Sequence, residues 1–302
     1  MSPLKIRGGG SAEGRRGRYD KLHSLVTTPP NLLLILRGGV KNMSLLEIKN
    51  CSVSFGGIKA LTSFNAQLGE AELLGIIGPN GAGKTTLFNL LTGVYSPTEG
   101  EIKFKNESIQ EKKLYEINQR GIARTFQNIR LFQNLKVEDN VILAYHNQIK
   151  ASFLSSSLHF PRMHQEEKKL TKKAFDLLEM FGLLDQRLEL AKNLPYGDQR
   201  RLEIVRALAT SPKLLLLDEP AAGMNPTEKN ELIKLIRDIQ KEFNLAIILI
   251  EHDMHVVMNL CPRLIVLNYG VMLAEGTPDQ IRNNPKVIEA YLGEKKAAPQ
   301  AR

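Results

Sequence analysis

The stretch of this sequence densest in chemistry is GPNGAGKTT, Gly78 to Thr86. It fits the pattern G-x-x-x-x-G-K-[ST], with Gly78, Gly83, Lys84 and Thr85 at the defining positions. Glycines let a backbone wrap so closely that its N–H groups turn inward on a phosphate, and a helix that follows adds its positive end. Pro79, Asn80, Gly81, Ala82 and Thr86 complete the loop. Lys84 can bridge the β- and γ-phosphates of a nucleotide, and the Thr85 hydroxyl can ligate Mg²⁺. A plain glycine-rich turn is the bland alternative. The flanks argue against it, because ELLGIIG reads as a buried strand and KTTLFNLLTG as a helix.

Two more apolar runs end in polar residues of the right kind. In LLLLDEP, Asp218 can hold Mg²⁺ through its waters, and Glu219 can polarise an attacking water. In LAIILIEHD, His252 follows a buried strand and can hydrogen-bond a γ-phosphate, or be a packed bystander. Three other histidines, His146, His159 and His164, match no zinc spacing and read as surface residues. One further stretch, LPYGDQRRLEIVRAL from Leu194, places Leu202, Val205 and Leu208 on one helical face. Its start can greet an anion with free N–H groups, or Asp198 can satisfy those donors as an N-cap.

These residues need elements to position them. Strand-like pieces LLEIKN and CSVSF come first, then a Gly56-Gly57 turn and KALTSFNAQL. From about Leu114 to 210 helical texture dominates, with a stripe of Leu170, Phe175, Leu178 and Phe181 and a looser run, ASFLSSSLHFPRMH. An amphipathic helix follows LLLLDEP on Leu232, Ile236, Ile239 and Phe243; RLIVLNYG and VMLAEG turn about Gly270. Continuous apolar strands alternating with helices predict an α/β domain with a mostly parallel sheet covered on both faces. Such sheets bind ligands beyond the carboxyl ends of their strands, where all three motifs fall.

Composition sets outer limits. With 42% hydrophobic and 24% charged residues, the 302-residue chain is an ordinary globular one, and no apolar run approaches the ~20 residues of a membrane span. Cys51 and Cys261, far apart and in no CxxC pairing, read as free buried thiols. The net charge of +9 is concentrated at the front, where residues 1–42 carry eight Lys or Arg against two Asp or Glu. A nucleic-acid partner is therefore not expected of the body. The leader reads as a disordered tail, an extension upstream of Met43, or a basic arm that touches anionic lipid. Residues 43–293 form the expected folded domain, and 294–302 a tail.

With the phosphate loop, DEP and the late histidine in order, residues 45–293 resemble the ATP-binding subunits of ABC transporters. That resemblance implies the P-loop NTPase fold of the family, with an antiparallel β subdomain, a parallel-rich core sheet and a helical lobe over about 114–210. LPYGDQRRLEIVRAL takes the place of the family signature, usually LSGGQ. Two such subunits face head to tail, and each signature caps the ATP held by the other. The resemblance thus gives Tyr196, Gly197 and Asp198 to the partner's nucleotide, although Pro195 replaces a serine and Asp198 a glutamine. The charge of Asp198 is expected to oppose phosphate binding unless Arg200 or Arg201 offsets it. It likewise implies that Phe55 stacks on adenine, against a core-phenylalanine alternative, and that Gln127 contacts Mg²⁺ and water and couples to membrane subunits. AAGMN, ending at Asn225, falls in the loop that crosses the dimer interface. ARTFQNIRLF, DEPAAGMNP and the ending LAEGTPDQIRNNPKVIEAYLG are most similar to ATPases of branched-chain amino-acid importers. Expected partners are two transmembrane permeases, a second ATPase (a paralogue or a second copy) and, indirectly, an extracytoplasmic solute-binding protein. The expected place is peripheral, at the cytoplasmic face of the membrane. A lipopolysaccharide-export ATPase and a soluble ABC factor acting on ribosomes or DNA are the competing readings.

Overall fold

A computed structural model describes residues 44–146 and 160–297, and the side chains of 44–145 and 167–291. The leader, the tail 294–302, His146, His159, His164 and all of ASFLSSSLHFPRMH lie outside the residues whose side chains are described. In chain order the strands are β1 (Leu46–Phe55), β2 (Ile58–Leu68), β3 (Leu73–Ile77), β4 (Glu99–Phe104), β5 (Glu107–Ser108), β6 (Ile122–Arg124), β7 (Leu214–Asp218), β8 (Ala246–Ile250), β9 (Arg263–Asn268) and β10 (Val271–Gly276). The helices are α1 (Lys84–Leu91), α2 (Leu114–Arg120), α3 (Val137–His146), α4 (Phe160–Met180), α5 (Tyr196–Ala209), α6 (Pro226–Glu242), α7 (Met254–Leu260), α8 (Pro278–Arg282) and α9 (Pro285–Ala297).

β1 is one strand rather than the two pieces its sequence suggests. Its register with β2 shifts between Ile48 and Cys51, and Asn50 sits at φ 48°, so the apparent break is a bulge. Gly56 and Gly57, at φ 51° and 89°, supply the left-handed turn into β2. An antiparallel sheet β2-β1-β4-β5 forms beside a second sheet ordered β10-β9-β3-β8-β7-β6. In that second sheet all neighbours are parallel except β9 and β10. β6 falls within the span expected to be helical, yet it extends the sheet by pairing Ile122 with Leu214 and Arg124 with Leu216.

Period-two alternation divides the core. Leu215, Leu217, Ile247 and Leu249 join one buried cluster with helices α3 to α7, while Leu214, Leu216, Ile248 and Ile250 join another with α1 and the antiparallel sheet. The α4 stripe holds: Leu178 and Phe181 are buried, and Leu170 and Phe175 pack partly buried against the same cluster. On α6, Leu232, Ile236 and Ile239 are buried, but Phe243 is exposed. The helix has ended by then, with Phe243 at its C-cap, so the helical period no longer directs that side chain inward.

Candidate functional site

The phosphate loop leaves β3 at Gly78 and enters α1 at Lys84. Gly78 lies at φ 151°, and a β-carbon there would stand 2.1 Å from the Leu267 carbonyl oxygen of β9. Gly83, the N-cap of α1 at φ 101°, would bring a β-carbon within 2.6 Å of the Ala60 carbonyl. Both positions therefore demand glycine on conformational and steric grounds. Lys84 is buried and donates from Nζ to the carbonyl oxygens of Gly78 (2.6 Å) and Pro79 (2.8 Å), which holds its charge inside the loop. The Gly270 N–H, in the β9–β10 turn, donates to the Ala82 carbonyl at 3.0 Å, and the Gly270 carbonyl accepts from the Thr62 N–H at 2.8 Å.

Above the loop lies a cleft of about 470 Å³, lined by Asn80 to Thr86 together with Gln127, Glu219 and His252. Three strand ends far apart in sequence thus meet at one mouth, as an open parallel sheet requires. Glu219 is the hub. Its Oε2 accepts from Gln127 Nε2 at 3.0 Å, and its Oε1 meets His252 Nε2 in a short contact. Glu219 has φ 49°, uncommon for a residue with a side chain, and its N–H donates to the Ile250 carbonyl at 2.8 Å. Backbone strain of this kind gathers at functional sites.

Asp218 is buried beneath the cleft. Its Oδ2 accepts from Arg124 at 2.8 Å, with both side chains nearly inaccessible, and its N–H donates to Thr125 Oγ1 at 3.3 Å. The Arg124 guanidinium also donates to Asn89 Oδ1 at 2.7 Å and lies over the rings of Phe88 and Phe126. Sequence reasoning passed over Arg124, although ARTFQ placed it three residues before Gln127. The oxygen set of Thr85, Gln127 and Asp218 suits Mg²⁺, a hard cation that keeps several waters and relies on substrate phosphates. With its Oδ2 held by Arg124, Asp218 would reach such an ion through water. Among the described residues no group of three or more His, Cys, Asp or Glu could hold a metal by itself.

Glu251 was also missed. It is buried, and it accepts N–H groups from Ala221 (2.7 Å), His252 (3.1 Å) and Asp253 (3.4 Å), which ties the loop after Glu219 to the loop carrying His252. Burial pushes its carboxyl above the ordinary range, against those hydrogen bonds.

The start of α5 corrects one expectation. Its N-cap is Pro195, with no side-chain cap, and Asp198 lies inside the first turn. Asp198 instead accepts from Gln186 Nε2 at 3.4 Å and pairs with Arg201 at 3.8 Å. Arg201 is shared between Asp198 and Glu231, the latter at 2.6 Å, so its offset of Asp198 is partial; Arg200 points elsewhere, donating to the Tyr196 hydroxyl at 2.7 Å and to backbone carbonyls of the Gln127 loop. Tyr196 is half exposed and packs near Gly223, where a β-carbon would come within 3.1 Å of its ring. Asn225 caps α6 by accepting the N–H groups of Thr227 (2.9 Å) and Glu228 (3.0 Å), while Glu228 Oε2 accepts the Asn225 N–H. That capping box was legible in NPTE. Phe55 is not among the side chains lining the cleft; it is half exposed and meets Tyr95 edge-on at 4.8 Å. Ile58 and the exposed Tyr269 line the cleft instead.

Residues 61–222 match the family model of the ABC transporter, and residues 271–297 that of the branched-chain amino acid ATP-binding cassette transporter. The chain is 46% identical over 250 residues to the high-affinity branched-chain amino acid transport ATP-binding protein LivG of Escherichia coli, covering 83% of this chain and 98% of that one. It is 44% identical over the same length to BraF of Pseudomonas aeruginosa, and 32% identical over 252 residues to the lipopolysaccharide export ATP-binding protein LptB of Haemophilus influenzae, with the same coverage. Among solved structures, the ADP conformation of MJ1267, an ATP-binding cassette of an ABC transporter, superposes with a TM-score of 0.72 at 31% identity, covering 83% and 99% of the two chains. The phosphate loop, the Asp218–Glu219 pair, the His252 loop and these likenesses converge: the chain belongs to the ABC transporter family of ATP-binding proteins, in the group that includes the branched-chain amino-acid transport proteins.

Proposed function

We propose that this chain binds and hydrolyses Mg-ATP and powers the uptake of branched-chain amino acids or related small solutes through partner permeases. The observation that carries the catalytic half is the setting of Glu219, a carboxylate held by Gln127 and His252 at the mouth of the phosphate-loop cleft. In this reading the loop N–H groups, Lys84, Thr85 and Thr86 hold the phosphates, and Gly78 to Gly83 shape the cradle. Glu219 accepts the proton of the attacking water, Gln127 orients that water, and His252 hydrogen-bonds the γ-phosphate. Thr85, Gln127 and, through water, Asp218 would hold Mg²⁺, which neutralises charge developing on the phosphates.

Tyr196, Gly197 and Asp198 face a nucleotide on the opposing subunit, a paralogue or a second copy. The dimeric solved structure of the cassette MJ0796, bound to ADP and Pi and 25% identical to this chain, supports a paired arrangement. No helix among the described residues is long and apolar enough to cross a membrane; a peripheral place against two permeases at the cytoplasmic face rests on the likeness to the transport ATP-binding proteins LivG and BraF. A second cleft of about 380 Å³, lined in part by Phe126, Arg130, Phe132 and Leu143, supports the contact, since Phe132 and Leu143 are exposed apolar side chains. The cargo reading rests on LivG and BraF, at 46% and 44% identity against 32% for LptB.

Glu219→Gln tests the assignment. With Mg-ATP the variant should bind nucleotide as the parent does and lose turnover by about 10²–10⁴-fold, the range for a positioned general base. Near-parental hydrolysis would remove Glu219 from that role. Co-purification with permeases of a lipopolysaccharide exporter, rather than of an amino-acid importer, would overturn the cargo.

A further inference from the structure

Three charged residues at three-residue spacing on one face of α5, Arg200, Glu203 and Arg206, all turn onto the backbone of residues 126–130. Glu203 Oε1 accepts the N–H groups of Phe126 (3.1 Å) and Arg130 (3.4 Å). Its Oε2 pairs with Arg200 at 3.4 Å, with both side chains buried. Arg200 donates to the carbonyl oxygens of Phe126 (2.8 Å) and Gln127, and Arg206 to that of Arg130. The same Arg200 guanidinium donates to the Tyr196 hydroxyl from Nε (3.1 Å) and from a terminal nitrogen (2.7 Å). The loop between β6 and α3 is thus gripped from both sides of its peptide groups, at both ends of Gln127.

A buried ion pair is weak as a stabilising device, because desolvation offsets most of its attraction; fixing geometry is the better-attested use. The geometry fixed here is specific. Gln127 reaches Glu219, while Tyr196 opens the helix that the nucleotide of a facing subunit would meet. We infer that Arg200 and Glu203, with Arg206, are positioning residues that lock the Gln127 loop to the start of α5, so that the angle of Gln127 onto Glu219 follows the position of Tyr196. The inference rests on the ATPase reading and deepens it. None of the three lines the phosphate-loop cleft, although Glu203 and Arg206 line the second cleft, and each acts on the nucleotide site through Gln127 or Tyr196.

The experiment uses the full chain with Mg-ATP and compares the parent with Glu203→Ala, Glu203→Gln and Arg200→Gln. Steady-state hydrolysis is measured together with hydrogen exchange of the backbone amides of residues 125–131. Glu203→Ala should lower kcat by about tenfold or more with KM for ATP within about twofold, since misplacement by about an ångström carries such losses and the phosphate loop is untouched. Exchange at Phe126 and Arg130 should accelerate at least tenfold. Glu203→Gln, whose amide oxygen can take the place of Oε1, should recover slow exchange and part of kcat; Arg200→Gln should lower kcat with KM unchanged. Parental kcat in Glu203→Ala and Arg200→Gln, a loss confined to KM, or no recovery in Glu203→Gln would each overturn the inference. A parent chain without ATP hydrolysis would overturn the ATPase reading instead, and unchanged exchange in Glu203→Ala would still refute the grip itself.

Discussion

Replacing Arg124 by methionine removes one partner of the Arg124–Asp218 pair and leaves a carboxylate beneath the cleft without its cation. Asp218 is 3% exposed, so the orphaned carboxylate is left in a poorly solvated site. Removing one member of a buried pair costs about 3–5 kcal/mol. Loss of the hydrogen bond to Asn89 and of the contacts with the Phe88 and Phe126 rings adds to this, although methionine restores some apolar packing. Domain stabilities are about 5–15 kcal/mol, so a large fraction is at stake. For a domain of this size the urea slope lies near ~3 kcal/mol per M, which converts the loss to a midpoint shift of about 1 M or more. The assay is equilibrium urea unfolding followed by far-UV circular dichroism, in EDTA and without nucleotide, so that the readout is the fold alone. The double variant Arg124→Met/Asp218→Asn should be more stable than Arg124→Met, because neutralising the orphaned charge removes the main penalty. A shift below about 0.3 M would equal the ~1 kcal/mol of an exposed pair, and would refute the argument that burial makes this contact costly to break.

Three further outcomes follow from other parts of the structure. Gly83→Ala should weaken ATP binding by more than about tenfold, since a β-carbon 2.6 Å from the Ala60 carbonyl forces the loop to move; titration with a fluorescent ATP analogue measures it, and parental affinity would refute the steric argument. Burial raises the Cys51 thiol to about 11 and pushes Cys261 upward too, so neither should react with a thiol reagent at pH 8 in the native chain, whereas both should react in urea. Burial also raises the carboxyl of Glu251, so from pH 4.5 upward the folded chain keeps a proton that the unfolded chain has released. Stability contributed by that group must therefore decline as pH rises through the window, and Glu251→Gln should flatten the pH dependence of the urea midpoint there.

Contiguous motifs were the readable part of the site. Gly78 to Thr86, Asp218 with Glu219, and His252 each sit where an apolar strand gives way to polar residues, and the sheet brings Glu219 and His252 together with the loop at one cleft. The bonds that hold them were harder to read. Arg124 finds Asp218 across 94 residues, and nothing local to ARTFQ says that the guanidinium turns toward β7 rather than toward solvent. Charge spacing at Arg200, Glu203 and Arg206 looks from sequence like a solvated helical face, yet Arg200 and Glu203 are buried on a loop that crosses it. The error at Asp198 had a local cause: an aspartate near a helix start suggests a cap, but the extended backbone belongs to Pro195 three residues earlier. Phe243 was misplaced for the same kind of reason, because the apolar period runs one residue past the last turn of α6.

Gly270 binds to both Thr62 and Ala82 and lies under Gly83, so three segments remote in sequence are knotted at one residue behind the phosphate loop. A receptor braced in this way loses little conformational freedom when its ligand arrives. In the proposed transport ATPase, association energy that would otherwise go into ordering a floppy loop would be left free to draw two subunits together, and the hairpin turn between β9 and β10 would be the part of the molecule that keeps nucleotide capture from being its own end.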